Sequence, residues 1–200
     1  MPATRPARGA SRRALRQRRR ALTRRERRAA QTRIAHTITR MAAYCSARRI
    51  AVYFAVDGEV ELSQLIEHAR RHGKSIHVPV LAGNRLRFIE LRRHARLARN
   101  RYGILEPKRG PSVDLRKLDL VLTPLVAFDA EGTRLGMGKG YYDRSFAFLE
   151  RRRSWVKPRL VGVGFEFQRV ETLAANPWDV RLWAAVTETA SYQFVRRPQT

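Results

Sequence analysis

An α/β fold, with a mainly parallel sheet and helices on both its faces, follows from three features of this 200-residue chain. Short aliphatic, β-branched runs (residues 50–55, 75–81, 120–128, 160–165 and 184–188) alternate with segments of helical periodicity. Such alternation produces right-handed βαβ units. The run Leu120, Val121, Leu122 and Leu125 to Phe128, broken only by Pro124, is continuously apolar, as in a strand buried on both faces. A hydrophobic fraction of 44% with 30% charged residues is a globular balance, long enough for one real core. The chain is therefore read as one domain over 1–200, with 1–9 frayed and 10–49 a basic helical segment.

The elements follow in order. Ala, Leu, Arg and Gln favour a helix over residues 11–22. Thr23-Arg24-Arg25-Glu26 is a capping box and starts a second helix that runs from Arg24 to about Tyr44. Its Ala30, Ile34, Ile38 and Met41 recur at helical spacing and face the core. After the strand at 50–55 comes the loop Val56-Asp57-Gly58-Glu59. An amphipathic helix over 61–72 follows, with Leu62, Leu65, Ile66 and Ala69 on one side and Gly73 closing it. The strand at 75–81 turns at Asn84 into a short edge strand at 86–91. Residues 92–101 are charged and loosely patterned, and 102–111 read as loop. Beyond the central apolar run, helices are expected at 144–150 and 168–175, with strands at 160–165 and 184–188.

Ligands of such sheets bind beyond the C-terminal strand ends. Loops 57–59, 124–142 and 165–168 all follow strands and should form one rim. The middle one carries Gly136, Gly138 and Gly140 at alternate positions, with Lys139 between the last two, Arg134 before and Asp143 after. Glycines permit left-handed backbone and close approach, and flanking cations with a carboxylate suit a phosphate and a hard cation such as Mg²⁺. The spacing is neither a P-loop nor a dinucleotide fingerprint.

Formal charge is 42 − 17 = +25, and residues 1–49 hold sixteen arginines against one acid, Glu26. Anionic partners are implied: nucleic acid, acidic lipid or phosphorylated metabolites. Residues 1–43 contain no Phe, Trp or Tyr to stack on bases, so a dedicated nucleic-acid module is the weaker reading beside a solvated face with a few phosphate contacts. The Arg-, Ala-, Ser- and Thr-rich start also has the composition of a mitochondrial transit segment. With Cys45 alone there is no disulfide framework, a reducing cytoplasm fits, and no apolar run reaches membrane-span length. His68 and His72 are four apart but lack the Glu and third ligand of a zinc site, and no nucleophile elbow occurs.

These residues together resemble the 5-formyltetrahydrofolate cyclo-ligase family over nearly the whole chain. The resemblance rests on Arg8 and Arg12, Asp57-Gly58-Glu59-Val60-Glu61, and Tyr102-Gly103-Ile104-Leu105-Glu106-Pro107. It rests further on Asp119-Leu120-Val121 with Pro124 and Ala127-Phe128-Asp129, and on Arg134-Leu135-Gly136-Met137-Gly138-Lys139-Gly140-Tyr141-Tyr142-Asp143. Gly164-Phe165-Glu166-Phe167-Gln168 and Asp179 ahead of Val186-Thr187-Glu188 complete it. The resemblance implies one three-layer α/β/α domain and cyclisation of 5-formyltetrahydrofolate to 5,10-methenyltetrahydrofolate, with ATP as co-substrate and Mg²⁺ as cofactor. It implies that Arg8, Arg12, Arg134, Leu135, Gly136, Met137, Gly138, Lys139, Gly140, Tyr141 and Tyr142 bind ATP. Phe54, Glu59, Met137 and Tyr141 would line the folate site, Asp143 and Asp179 would hold the metal, and Lys139, Arg134 and Tyr141 would act in catalysis. Glu59 would accept hydrogen bonds from the pterin; its alternative role is a solvated loop carboxylate. The implied partners are ATP and a reduced folate, with a polyglutamate tail as one form. Three positions depart from the family pattern: Arg8 for Lys, Met137 for Arg, and Trp183 for Asp. A phosphosugar- or acyl-CoA-handling enzyme on a related fold is the remaining alternative.

Overall fold

The computed structural model describes residues 8–152 and 157–194, and the side chains from residue 12 onward. Three helices open the chain: α1 (Arg8–Ala21), α2 (Arg24–Arg40) and α3 (Ala42–Cys45). There follow β1 (Arg49–Ala51), α4 (Ser63–Arg71), β2 (Ser75–Ala82), β3 (Arg85–Glu90), β4 (Leu97–Arg99), β5 (Leu105–Pro107) and β6 (Ser112–Val113). Next come β7 (Leu120–Pro124), β8 (Ala127–Phe128), β9 (Arg134–Leu135) and α5 (Tyr141–Phe146). The last strands are β10 (Arg159–Val163), β11 (Ala184–Val186) and β12 (Ser191–Gln193).

Eight strands form one sheet in the order β12-β11-β10-β7-β1-β2-β3-β6. The central pairs β11–β10, β10–β7, β7–β1 and β1–β2 are parallel, and the outer pairs are antiparallel. Period-2 alternation sends the strand side chains to two cores. Ile50, Leu120, Leu122, Val161, Val163, Ala184 and Val186 pack with Ile34 and Ile38 of α2 and Leu65 and Ala69 of α4. Ala51, Val121, Leu160 and Ala185 pack on the other face with Phe146 of α5, Leu149 and Phe128. Helices on both faces of a mostly parallel sheet are the expected three layers. Each fully buried Ile or Leu contributes about 1.5–3 kcal/mol.

The chain runs from β1 outward to β2 on one side and later returns to β7 on the other, so the strand order reverses between β1 and β7. In such sheets the crevice beyond that reversal is where ligands bind.

Several elements differ from expectation. The helix foreseen over 24–44 breaks at Met41, whose ψ of 132° is extended, although the Thr23–Glu26 capping box forms as read. α1 begins at Arg8, inside the segment read as frayed; residues 1–7 lie outside the described residues. β3 is not an edge, since β6 pairs beyond it. The 144–150 helix starts earlier, at Tyr141. No helix forms over 168–175. The Gln168 amide donates to the Leu125 and Val126 carbonyls, the Val170 N–H to the Phe128 carbonyl, and the Leu173 N–H to the Asp129 carboxylate. Backbone groups that a helix would use internally dock instead on the loop after β7.

Candidate active site

Three loops meet beyond β1, β7 and β10, and α1 lies across them. Arg19, only 1% exposed, sits over the reversal point. Its Nε donates to the Asp57 carbonyl (2.9 Å), Nη2 to Asp57 Oδ2 (2.9 Å) and Nη1 to the Leu125 carbonyl (3.1 Å). One guanidinium thereby ties the loop after β1 to the loop after β7. Asp57 also accepts from Arg16 Nε (2.7 Å) and from Arg20. Burial alone would raise the Asp57 carboxyl, but these hydrogen bonds and the charges of Arg16 and Arg19 hold it below its ordinary value. Asp57 adopts a left-handed φ of 53°, and Gly58 follows at φ 76°. A Cβ on Gly58 would lie 2.9 Å from Arg27 Nη1 and 3.2 Å from the Arg19 carbonyl, so α1 and α2 can close on this loop only over glycine.

Glu59 is buried beside this lock, which removes its alternative as a solvated carboxylate. Its Oε2 accepts from the Val56 N–H (3.1 Å) and its Oε1 lies 3.8 Å from Arg19 Nη2. Burial pushes its carboxyl up to about 7, against the pull of Arg19. The hydroxyls of Tyr53 and Tyr142 are near enough to feel its charge, and desolvation raises both. Phe54 is half-buried against the adjoining core.

The glycine loop lies on the same rim. Arg12 Nε donates to the Gly136 carbonyl (3.1 Å), and a Cβ added to Gly138 would meet its guanidinium at 3.8 Å, so α1 reaches the loop as well as the Asp57 turn. Gly138 (φ 92°) and Gly140 (φ 62°) occupy left-handed backbone, as expected. Met137 and Lys139 are exposed. Leu135 is different: its side chain is in the core and its carbonyl accepts from the Val126 N–H, so its strand groups serve packing. Tyr142 lies beneath the Arg134 guanidinium, 5.1 Å from the ring centroid. Tyr141 accepts from Arg101 Nη2 (2.6 Å) and meets the Tyr102 hydroxyl at 3.2 Å. Those two hydrogen bonds, from Tyr102 first and Arg101 second, draw the Tyr141 hydroxyl below the usual tyrosine range. The side chain of Arg8 lies outside the described residues.

Arg134, its side chain 4% exposed, donates through Nη2 to Asp143 Oδ1 (2.8 Å), while its Nε has no partner among the described residues. Asp143 Oδ1 also accepts from the Val180 N–H (3.3 Å), which brings Asp179 to the same corner. Asp179 receives the backbone and side-chain amides of Asn176 (2.8 and 3.3 Å). Among the described residues no three His, Cys, Asp or Glu converge to cage a metal. Mg²⁺ takes one or two carboxylates and completes its shell with phosphate oxygens and water, and Asp143 and Asp179 are the acids at this corner that could serve it. His68 and His72 stack at 4.1 Å, far from this arrangement in role: their Nδ1 atoms meet the Tyr44 hydroxyl and the His68 carbonyl.

Sequence reading missed Arg16, Arg19 and Arg27. The signal was present: Arg12, Arg16 and Arg19 recur at four- and three-residue spacing, one face of a helix. It also missed Gln168 as the clasp between the loops after β7 and β10, where its Oε1 accepts from the Phe165 N–H (2.8 Å) while its amide serves Leu125 and Val126.

A mostly parallel sheet with an arginine-lined, glycine-containing rim at its reversal point defines a protein of the α/β enzyme class. The model of the 5-formyltetrahydrofolate cyclo-ligase family matches residues 4–188, and the chain belongs to that family. It is 39% identical over 191 residues to 5-formyltetrahydrofolate cyclo-ligase of Escherichia coli K12, covering 90% of this chain and 100% of that one. The Haemophilus influenzae cyclo-ligase is 37% identical over 142 residues, 68% of this chain and 74% of its own. The solved 5,10-methenyltetrahydrofolate synthetase of Aquifex aeolicus superimposes with a TM-score of 0.81 at 30% identity, over 96% of this chain and 95% of that one.

Proposed function

We propose that the protein converts 5-formyltetrahydrofolate to 5,10-methenyltetrahydrofolate with consumption of ATP, in the presence of Mg²⁺, and release of ADP and phosphate. The observation that carries this reading is the convergence of Arg12, the glycine loop, Arg134 and Asp143 on one rim with buried Glu59 beneath it. In the reaction the formyl oxygen attacks the γ-phosphorus of ATP, ADP leaves, and an imidate-like phosphate results. N10 of the folate then attacks the former formyl carbon and loses its proton, and inorganic phosphate departs with the formyl oxygen.

Phosphoryl transfer asks chiefly for positioning and charge neutralisation. Arg12 and the N–H groups from Gly136 to Gly140 would cradle the triphosphate, with Lys139 as a mobile cation. Arg134, with a buried unpartnered Nε, would meet developing charge at little cost in reorganisation. The Tyr141 hydroxyl would donate at the junction of the two substrates, and Met137, exposed on the loop, and Phe54 would offer apolar surface to the folate. Glu59 would accept the pterin's amino and ring N–H groups. When bound, Mg²⁺ supplies neutralisation of phosphate charge, and Asp143 with Asp179 would hold it. A cytoplasmic location belongs to this reading. No described helix is long and apolar enough to cross a membrane.

The direct test mixes the protein with 5-formyltetrahydrofolate and Mg·ATP and follows methenyl absorbance together with ADP. Equal production of both supports the proposal; neither appearing with folded protein refutes it.

A further inference from the structure

The active-site rim engages Arg12, Arg16, Arg19, Arg20 and Arg27, yet a second set of arginines points away from it. On α2, Arg25, Arg28, Arg33 and Arg40 are exposed, and at 100° per residue Arg25 lies opposite buried Ile34. None has an acidic partner among the described residues. The one acid of α2, Glu26, is engaged by the Thr23 N–H and hydroxyl in the capping box. Arg25 and Arg28 sit in the first turns, where only Glu26 offsets their conflict with the helix dipole, while Arg40 in the last turn agrees with it. The four fan over about 140° of the outward face and span about 22 Å of the helix at roughly 100° and 1.5 Å per residue, a length comparable to about six phosphates of one nucleic-acid strand at about 3.4 Å each.

Beside this row runs a groove of about 590 Å³ between α2 and α4. Thr32, His36 and Thr39 line it from α2, and Gln64, His68 and Arg71 from α4, with Glu67 as its single acid. Hydroxyl, amide, imidazole and guanidinium groups are those that contact phosphate and sugar. Carbon atoms of Ala35 and of the stems and rings of the polar side chains make up most of its exposed lining, and no Leu, Ile, Val, Met, Phe, Tyr or Trp lines it as an anchor for a protein partner.

We propose that the α2 arginine row and the adjoining α2–α4 groove bind nucleic acid through its phosphodiester backbone, without sequence readout. The lack of aromatics in residues 1–43, which weighs against base stacking, is compatible with backbone binding.

The test is fluorescence anisotropy with a labelled 20-mer single-stranded RNA and a 20-base-pair DNA across a salt series. The variant with Arg25, Arg28, Arg33 and Arg40 all changed to Gln is compared with a charge-matched variant on β3 and the turn before β7, with Arg85, Arg87, Arg116 and Lys117 changed to Gln. The row variant should bind at least tenfold more weakly at 100 mM salt, with its duplex log–log salt slope shallower by about 0.9 per lost contact. The charge-matched variant should stay within threefold of the parent. Retained cyclisation turnover certifies the fold of each variant, and photocrosslinking of RNA to the unaltered protein should label peptides of α2 and α4. Equal weakening by both variants, crosslinks elsewhere, no binding at 50 mM salt, or equal competition by an oligoglutamate of matched charge would each overturn the proposal.

Discussion

Replacing Glu59 by Gln isolates the energetic consequence of burying a carboxylate under α1. In the folded protein the Glu59 carboxyl titrates at about 7, against an ordinary value of 4.5. Between those values the native state holds a proton that the unfolded chain has released. Stability therefore falls as pH rises through this window. A shift of this size corresponds to about 3 kcal/mol at 1.36 kcal/mol per unit. Of that, roughly 2–3 kcal/mol should be lost between pH 5 and pH 8. Asp57, held below its ordinary 3.8, acts in the opposite sense and only in more acid solution, because its contribution is lost as pH falls through the depressed value. Urea unfolding at pH 5, 6, 7 and 8 should thus show the parent losing stability where the Glu59→Gln protein does not, with the variant the more stable at pH 8. Parallel curves for the two proteins would refute the assignment of a buried, proton-holding Glu59.

Other consequences are equally direct. Arg19→Ala removes the tie between the Asp57 turn and Leu125 and should cost about 3 kcal/mol in urea unfolding, whereas Arg20→Ala, an exposed partner of the same carboxylate, should change stability by no more than about 0.5 kcal/mol. Lys139→Ala should lower turnover while leaving the melting temperature unchanged, because its side chain is exposed on the loop; parallel loss of folded protein contradicts that role. Asp143→Asn keeps an acceptor for Arg134 and should abolish turnover while folate binding, read by calorimetry, persists; normal turnover rejects the metal assignment. Mg·ATP at 100 times its dissociation constant should stabilise the parent by about 2.7 kcal/mol, and Arg12→Ala should reduce that stabilisation in a thermal-shift assay.

The capping box at Thr23, the C-terminal Gly73, the buried character of residues 120–122 and the left-handed Gly138 and Gly140 were all legible, because each depends on short-range backbone chemistry. The helix expected over 168–175 was not, since the segment's donors find carbonyls and the Asp129 carboxylate some forty residues away after β7, and no local pattern encodes that choice. The site divides along the same line. Arg134, Lys139, Asp143 and the glycines stand together in one segment and could be read there. The helix face shared by Arg12, Arg16 and Arg19 was also written in their spacing, but the bridging roles of Arg19 and Gln168 exist only once loops distant in sequence meet.

Local composition and spacing thus carried the alternation of strands and helices, the left-handed glycine loop and the family likeness, for periodicity and glycine geometry are written residue by residue. Tertiary packing alone decided that Glu59 is dry, that one arginine bridges two strand ends, and that a groove opens between α2 and α4. Burial and charge pairing depend on which segments come to lie against each other, and that is a property of the folded sheet.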